Sequence, residues 1–226
     1  MKKSKIFIAC DTTKISTVKE IINKTKNSKI KIGYKFGLEF LNSKNGRNFV
    51  SKLKKKIIFA DLKINDIPNT CVSTIKAIKD LRVKYLTIHI SSGLQALKAA
   101  KKASGAIKLV GVSVLTSLDN KALKEIGYNK NVKKLVLDQA RLAKKANLDA
   151  IVCSAQEISV VKKVFKKEII TPGIRFSSNV YDQKRVLTPK LAYKNGSDWL
   201  VIGRPITRGN IKKNINKLID HLNQWS

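Results

Sequence analysis

The chain has little with which to build a disulfide or metal framework. Its three cysteines, Cys10, Cys71 and Cys153, are odd in number, scattered and never in C-x-x-C spacing, and it has two histidines in 226 residues. A small disulfide-stapled fold is excluded, no zinc spacing is present, and a reducing, cytoplasmic setting is expected. Long apolar runs are also missing. The stretch Ile6 to Cys10 is stopped at once by Asp11, so the basic start Met1 to Lys5 reads as the approach to a strand rather than a secretory leader. No run nears the roughly 18 to 20 residues that span a bilayer, so no membrane association is expected. Aromatic residues are scarce at 6%, and none is interleaved in Lys54-Lys55-Lys56 or Lys166-Lys167, which read as solvated ends. A stacking platform for single-stranded nucleic acid therefore lacks its rings. With no Pro-, Gly- or Ser-rich linker, residues 1–226 read as one domain.

Acidic residues are scarcest relative to their counterpart: 15 Asp and Glu face 47 Lys and Arg, for a net charge of +32. Such a surplus fits a nucleic acid, an anionic membrane or a phosphorylated small molecule as partner. The abundance of Lys, Ile and Asn together also fits an A- and T-rich coding bias with no selection for a basic surface. The charge alone favours the bias over a dedicated polyanion site.

What the chain does contain is a rhythm. Apolar, β-rich runs recur at Ile6–Cys10, Ile30–Gly33, Ile57–Leu62, Tyr85–Ile90, Leu109–Leu115, Ala150–Cys153, Ile169–Thr171 and Trp199–Ile202. Between them lie helical spacings such as Val18, Ile21 and Ile22, then Val72, Ile75 and Ile78, and later Leu135, Ala140 and Ala143. Strands apolar on nearly every residue are covered on both faces, and strand-helix alternation supplies the crossovers of a parallel sheet. Eight repeats in this length point to an α/β fold, a closed (β/α)8 barrel, with a doubly wound open sheet as the alternative.

In such a barrel the functional groups sit just beyond the C-terminal ends of the strands. Reading those positions in turn gives Asp11, Lys35, Asp61 with Lys63, Ser91 with Ser92, Thr116, Gln156, Arg175 and Arg204. Within Asp61-Leu62-Lys63-Ile64-Asn65-Asp66-Ile67-Pro68-Asn69-Thr70, strand periodicity puts Asp61 and Lys63 on one face, and Asp66 can supply a second carboxylate. A lysine held between two aspartates stays protonated and is a positioned acid. An ordinary surface ion-pair cluster fits the bare D-x-K-x-x-D spacing equally well. Thr171-Pro172-Gly173-Ile174-Arg175 and Val201-Ile202-Gly203-Arg204-Pro205 end the seventh and eighth strands, where barrels bind phosphate through backbone N–H groups and arginine forks. His89 ends the fourth strand and is assigned a structural role, His221 is incidental, Cys10 and Cys153 are small core residues, Trp199 packs a strand, and Trp225 anchors the final helix.

Taken together, DLKINDIPNT, FIACD ending at Asp11, IGYKFG around Lys35, VLTS around Thr116, VCSAQE, TPGIR and VIGRPIT resemble orotidine 5′-phosphate decarboxylase of the common bacterial type, in that family's order from Ile6 to Thr207. The resemblance implies a homodimeric barrel with shared active sites. It would convert orotidine 5′-phosphate to uridine 5′-phosphate and carbon dioxide, the last step of pyrimidine synthesis, with no metal, organic cofactor or nucleic acid. By the same resemblance Lys63 matches the proton donor to carbon 6 of the pyrimidine, and Asp61 the carboxylate beside the substrate's own. Asp66 with Thr70 match the pair reaching into the partner's site, with Ile67 beside them among the substrate contacts. Asp11 and Lys35 match ribose contacts and the charged network, and Thr116 a residue near the base. Arg175, Gln183, Gly203 and Arg204 match the phosphate-side group. The segment Phe176 to Asp182 departs from the pattern: it is shorter than usual and lacks the expected Pro after Arg175. The runner-up is a sugar-phosphate decarboxylase or aldolase barrel that uses Mg2+ to stabilise an enediolate. A basic nucleic-acid-binding protein rests on the charge alone.

Overall fold

The eight apolar runs form eight parallel strands: β1 (Lys5–Ala9), β2 (Lys31–Gly37), β3 (Ile57–Ile64), β4 (Tyr85–His89), β5 (Lys108–Val112), β6 (Ala150–Val152), β7 (Glu168–Thr171) and β8 (Trp199–Ile202). Each pairs with its successor and β8 pairs with β1, so the sheet closes into a barrel and the open-sheet alternative falls away. The computed structural model describes residues 4–26, 29–175 and 188–223. Its helices are α1 (Ile15–Lys24), α2 (Leu38–Leu41), α3 (Gly46–Ser51), α4 (Pro68–Ala77), α5 (Gly93–Ala103), α6 (Asn120–Glu125), α7 (Val132–Lys145), α8 (Ile158–Val164), α9 (Pro189–Lys194), α10 (Arg204–Thr207) and α11 (Ile211–Asn223). Among the described residues no helix is long and apolar enough to cross a membrane.

The two-sided burial inferred from the sequence follows from alternation along each strand. Ile6 and Ile8 of β1 face outward into the layer shared with the helices, where Val18, Ile21 and Ile22 of α1 lie. Phe7 and Ala9 face inward and join Phe59, Tyr85, Val110, Ala150, Ile170, Trp199 and Val201 in the barrel interior. Four rings fill the N-terminal half of that interior. Phe7 stacks on Trp199 with centroids 4.2 Å apart, and meets Phe59 at 4.9 Å and Tyr85 edge-on at 5.2 Å. A β-carbon on Gly33 would come within 2.6 Å of the Phe7 ring, so β2 passes this plug only as glycine. The barrel is therefore closed below, and its chemistry is confined to the upper end.

Three strand limits differ from the apolar runs by more than one residue. β2 continues to Gly37, which keeps its pairing with β3 beyond the apolar run, and β3 continues to Ile64, which pairs with Ile88 after a register slip. β5 stops at Val112, and Val114 to Thr116 form a loop at the mouth. Lys167, expected to be solvated, ties strand ends instead: its ammonium donates to Asn147 Oδ1 at 2.6 Å and to the Leu148 carbonyl at 2.9 Å.

Candidate active site

The aromatic plug leaves a cavity of about 240 Å³ at the C-terminal end of the barrel. Asp11, Lys35, Asp61, Lys63, Thr116, Arg175, Gly203 and Arg204 all line it. Four cations thus face two carboxylates across one apolar floor of Phe59, Val112, Val152 and Val201. The positive excess suits a ligand carrying several negative charges. Ser91, Ser92 and Gln156, also read off strand ends, are not among the lining residues; Ser92 Oγ donates to Asn65 Oδ1 at 2.9 Å instead. Gln183 and Trp225, like the segment Phe176 to Asp182, lie outside the described residues.

The charged groups form a line. Lys35 Nζ stands 3.1 Å from Asp11 Oδ1 and 3.5 Å from Asp61 Oδ2, and Lys63 Nζ donates to Asp61 Oδ2 at 2.8 Å. The lysine held between two aspartates is therefore Lys35, not Lys63. Burial works against the Lys35 ammonium, but Asp61 first and Asp11 second outweigh it, so its pKa lies above the ordinary lysine value. Burial likewise works against the Asp61 carboxylate; Lys35, Lys63 and the hydrogen bonds from Lys63 and Thr87 outweigh it, and its pKa lies below the ordinary range. Both groups are held charged although each is largely buried.

Thr87 is the residue that sequence reasoning passed over. Its hydroxyl accepts the Lys63 backbone N–H at 2.7 Å and donates to Asp61 Oδ1 at 3.1 Å, so one fully buried group orients both neighbours. Period-two alternation from the inward Tyr85 would have marked it as a polar group facing the barrel interior. The bond has a backbone to hold. Lys63 adopts φ +49° where the β3–β4 register slips between Ala60 and Ile64. A left-handed lysine costs of order 1 to 3 kcal/mol and persists only where its surroundings fix it.

His89, at the end of β4, is coupled to the same groups. Burial and the Lys63 charge lower its pKa against an opposing pull from Asp61, so the imidazole is biased towards its neutral form. Cys10 lies beneath Asp11 with its thiol pushed up to about 12 by burial, with a further rise from Asp11, which removes it as a nucleophile. Arg175 follows a turn in which Gly173 has φ +75°, a conformation glycine adopts freely. Gly203 precedes Arg204 at the start of α10, where an added β-carbon would stand 3.6 Å from Asp11 Oδ2, at the cavity wall.

Asp66, Ile67 and Thr70 point elsewhere. All three are exposed, Ile67 by 66%, and Asp66 Oδ1 accepts the Ile67 N–H at 2.8 Å rather than pairing with Lys63. Among the described residues no group of three or more His, Cys, Asp or Glu converges as metal ligands.

Comparison with known proteins points one way. The family model "Orotidine 5′-phosphate decarboxylase / HUMPS family" matches residues 4–215. An orotidine 5′-phosphate decarboxylase of Wolbachia pipientis subsp. Culex pipiens (strain wPip) is 44% identical over 209 residues, covering 89% of this chain and 91% of the relative. One from Coxiella burnetii (strain RSA 331 / Henzerling II) is 39% identical over 217 residues, covering 90% of each. The crystal structure of orotidine 5′-phosphate decarboxylase from Lactobacillus acidophilus superposes with a TM-score of 0.84 at 28% identity, covering 98% of this chain and 100% of that one.

Proposed function

The chain belongs to the orotidine 5′-phosphate decarboxylase / HUMPS family, and from that membership we propose that it converts orotidine 5′-phosphate to uridine 5′-phosphate and carbon dioxide. The observation that carries this reading is the line Asp11, Lys35, Asp61, Lys63 running through the cavity that Arg175 and Arg204 also border. Losing carbon dioxide leaves an electron pair on a ring carbon with no evident sink, so the site has to place fixed positive charge beside it. Lys63 is that charge. The bond from carbon 6 to the carboxylate breaks, its electron pair stays on carbon 6, the Lys63 ammonium gives that carbon a proton, and the lysine regains one from water. Asp61, kept ionised by its two lysines, stands against the substrate carboxylate and disfavours the charged ground state. Lys35 holds Asp61 and Asp11 in place, and Asp11 faces the ribose. Arg175, Arg204 and the backbone at Gly203 take the phosphate, whose binding energy orients the ring.

The enzyme works as a homodimer. The outward Asp66, the neighbouring Thr70 and the bare Ile67 side chain support a role at a partner's site rather than their own. The reaction draws on no metal or organic cofactor. The deciding experiment is the absorbance change of orotidine 5′-phosphate on adding purified protein in excess chelator. Full activity is expected. No turnover at micromolar enzyme would end the proposal, and activity lost to chelator and restored by Mg2+ would favour metal-assisted enediolate chemistry.

A further inference from the structure

The strands enter the barrel through a ring of charge that this chemistry does not use. Lys5 opens β1, Lys31 opens β2 and Lys108 opens β5, while Lys56 and Lys84 stand immediately before β3 and β4. Asp149 and Asp198 stand immediately before β6 and β8, and Glu168 opens β7. The rim is thus basic over five consecutive strands and acidic over the other three.

The two halves are not equally engaged. Asp149 Oδ2 accepts the Leu109 N–H at 2.9 Å and pairs with Lys101. Asp198 Oδ2 accepts the Ile169 N–H at 2.9 Å and pairs with Lys162 at 3.0 Å. Glu168 accepts the Tyr85 hydroxyl at 2.9 Å and pairs with Lys108 at 3.0 Å. Every acid on the rim is occupied in fixing neighbouring strands or cations. Among the described residues none forms an ion pair with Lys5, Lys31, Lys56, Arg82 or Lys84.

These five cations and Lys108 border one concave basin of about 380 Å³, with Glu168 the lone acid in its wall among the described residues. Its floor is Tyr85 and Trp199; the Lys5 ammonium lies 5.7 Å from the Trp199 ring centroid and that of Lys108 lies 5.4 Å from that of Tyr85. Trp199 is 2% exposed, and its indole N–H has no acceptor in hydrogen-bonding geometry among the described residues. A second hollow shares Arg82 and Lys84 and adds Lys79.

We propose that this basin is a binding site for a compact polyphosphate, the triphosphate group of an inorganic chain or of a nucleotide. Like charges gathered around a hollow raise its potential, and a ligand with several negative charges relieves their repulsion. Lysine ammoniums act as point charges without the bidentate geometry that selects a single phosphate, so affinity follows charge number. The concavity disfavours a flat membrane surface. Burial of Tyr85 and Trp199 leaves no ring for a base to stack on, which argues against a single-stranded nucleic acid. The site lies at the opposite end of the strands from the catalytic cavity and is independent of the reaction proposed there.

The test is calorimetric titration with inorganic tripolyphosphate, the upper cavity being saturated with uridine 5′-phosphate. One equivalent per chain is expected. Affinity should fall about tenfold or more between about 0.05 and about 0.2 M salt, and orthophosphate should bind about tenfold or more weakly. The triple variant Lys31→Ala, Arg82→Ala, Lys84→Ala changes exposed side chains only, and should bind about tenfold or more weakly with decarboxylation unchanged. A control, Lys212→Ala, Lys213→Ala, Lys217→Ala on α11, loses the same charge from another face and should bind as wild type. ATP matching tripolyphosphate would make the inorganic chain sufficient, and ATP binding tenfold tighter would make a nucleotide the ligand; both support the site. Absence of binding, equal loss in the two triple variants, or displacement of tripolyphosphate by an equal charge of duplex DNA would overturn it.

Discussion

Lys35 offers a measurement in which distance and burial predict opposite orders. Its ammonium is nearer to Asp11, at 3.1 Å, than to Asp61, at 3.5 Å. Asp11 is 61% exposed, however, whereas Asp61 is 13% and Lys35 12% exposed. Exposed pairs are worth under about 1 kcal/mol, whereas removing one partner of a buried pair costs about 3 kcal/mol or more, because the other charge is left unpaired. Lys35→Met should therefore destabilise by about 3 kcal/mol, lowering Tm by about 6 to 12 °C for a chain of this size. In double-mutant cycles with Asp61→Asn and Asp11→Asn, the Lys35–Asp61 coupling should come out at about 2 to 3 kcal/mol and the Lys35–Asp11 coupling below about 1. The pH dependence follows from the same charges. Asp61, with its pKa depressed, contributes stability that is present above the ordinary carboxylate value of 3.8 and lost as pH falls through its lower folded value. Lys35, with its pKa raised, contributes stability that is full below the ordinary lysine value of 10.5 and lost as pH rises through its higher folded value. In Lys35→Met the Asp61 pKa should rise, so the deficit relative to wild type should shrink on going from neutral to acidic pH. Urea unfolding of the variants decides; an Asp11 coupling equal to or larger than that of Asp61 would refute the assignment of strength by burial.

Lys63→Ala should lose nearly all turnover while still binding uridine 5′-phosphate, because the phosphate and ribose contacts remain; a tenth of wild-type turnover would rule out the proton-donor role. Arg204→Ala removes a charge-assisted contact of about 1.5 to 3 kcal/mol, so kcat/KM should fall about tenfold to a hundredfold. Its kcat should fall too, since phosphate binding energy orients the ring, and a rise in KM alone would contradict that use of it. Thr87→Val keeps the shape but strands the Lys63 N–H, which should cost about 1 to 3 kcal/mol and lower kcat more than it raises KM; an unchanged kcat would make Thr87 structural only. If Asp66 serves the partner's site, mixing the nearly inactive Lys63→Ala and Asp66→Asn dimers should restore about a quarter of wild-type activity, since about half the dimers become mixed and each keeps one intact site. Subunit exchange, shown by mass spectrometry, without that recovery would place Asp66 in its own subunit's site or outside the site altogether.

The barrel was legible because a strand buried on both faces announces itself as an unbroken apolar run, and the helical spacings between runs left a parallel sheet as the connected solution. The same signal blurs where strands do their chemistry. β2 and β3 carry Lys35 and Lys63 past the ends of the apolar runs Ile30–Gly33 and Ile57–Leu62, so reading strands by apolarity ends them short of both lysines. Regular alternation did put Asp61 and Lys63 together, and their side chains meet at 2.8 Å. They meet, however, across a left-handed backbone and a register slip that no residue pattern encodes, since the conformation is imposed by a hydroxyl on the neighbouring strand. Asp66 marks the opposite limit. Spacing can say that a carboxylate follows Lys63 by three positions, but not which way the chain carries it. Pro68 occupies the first turn of α4, and a residue before proline is driven from the helical region, so Ile67 is extended at φ −63° and ψ 159°. That turn sets Asp66 and Ile67 on the outside of the barrel, where the Asp66 carboxylate accepts its neighbour's N–H. A carboxylate spaced for the active site but turned to the surface is what the proposed shared site would use, and the mixed-dimer experiment decides whether it does.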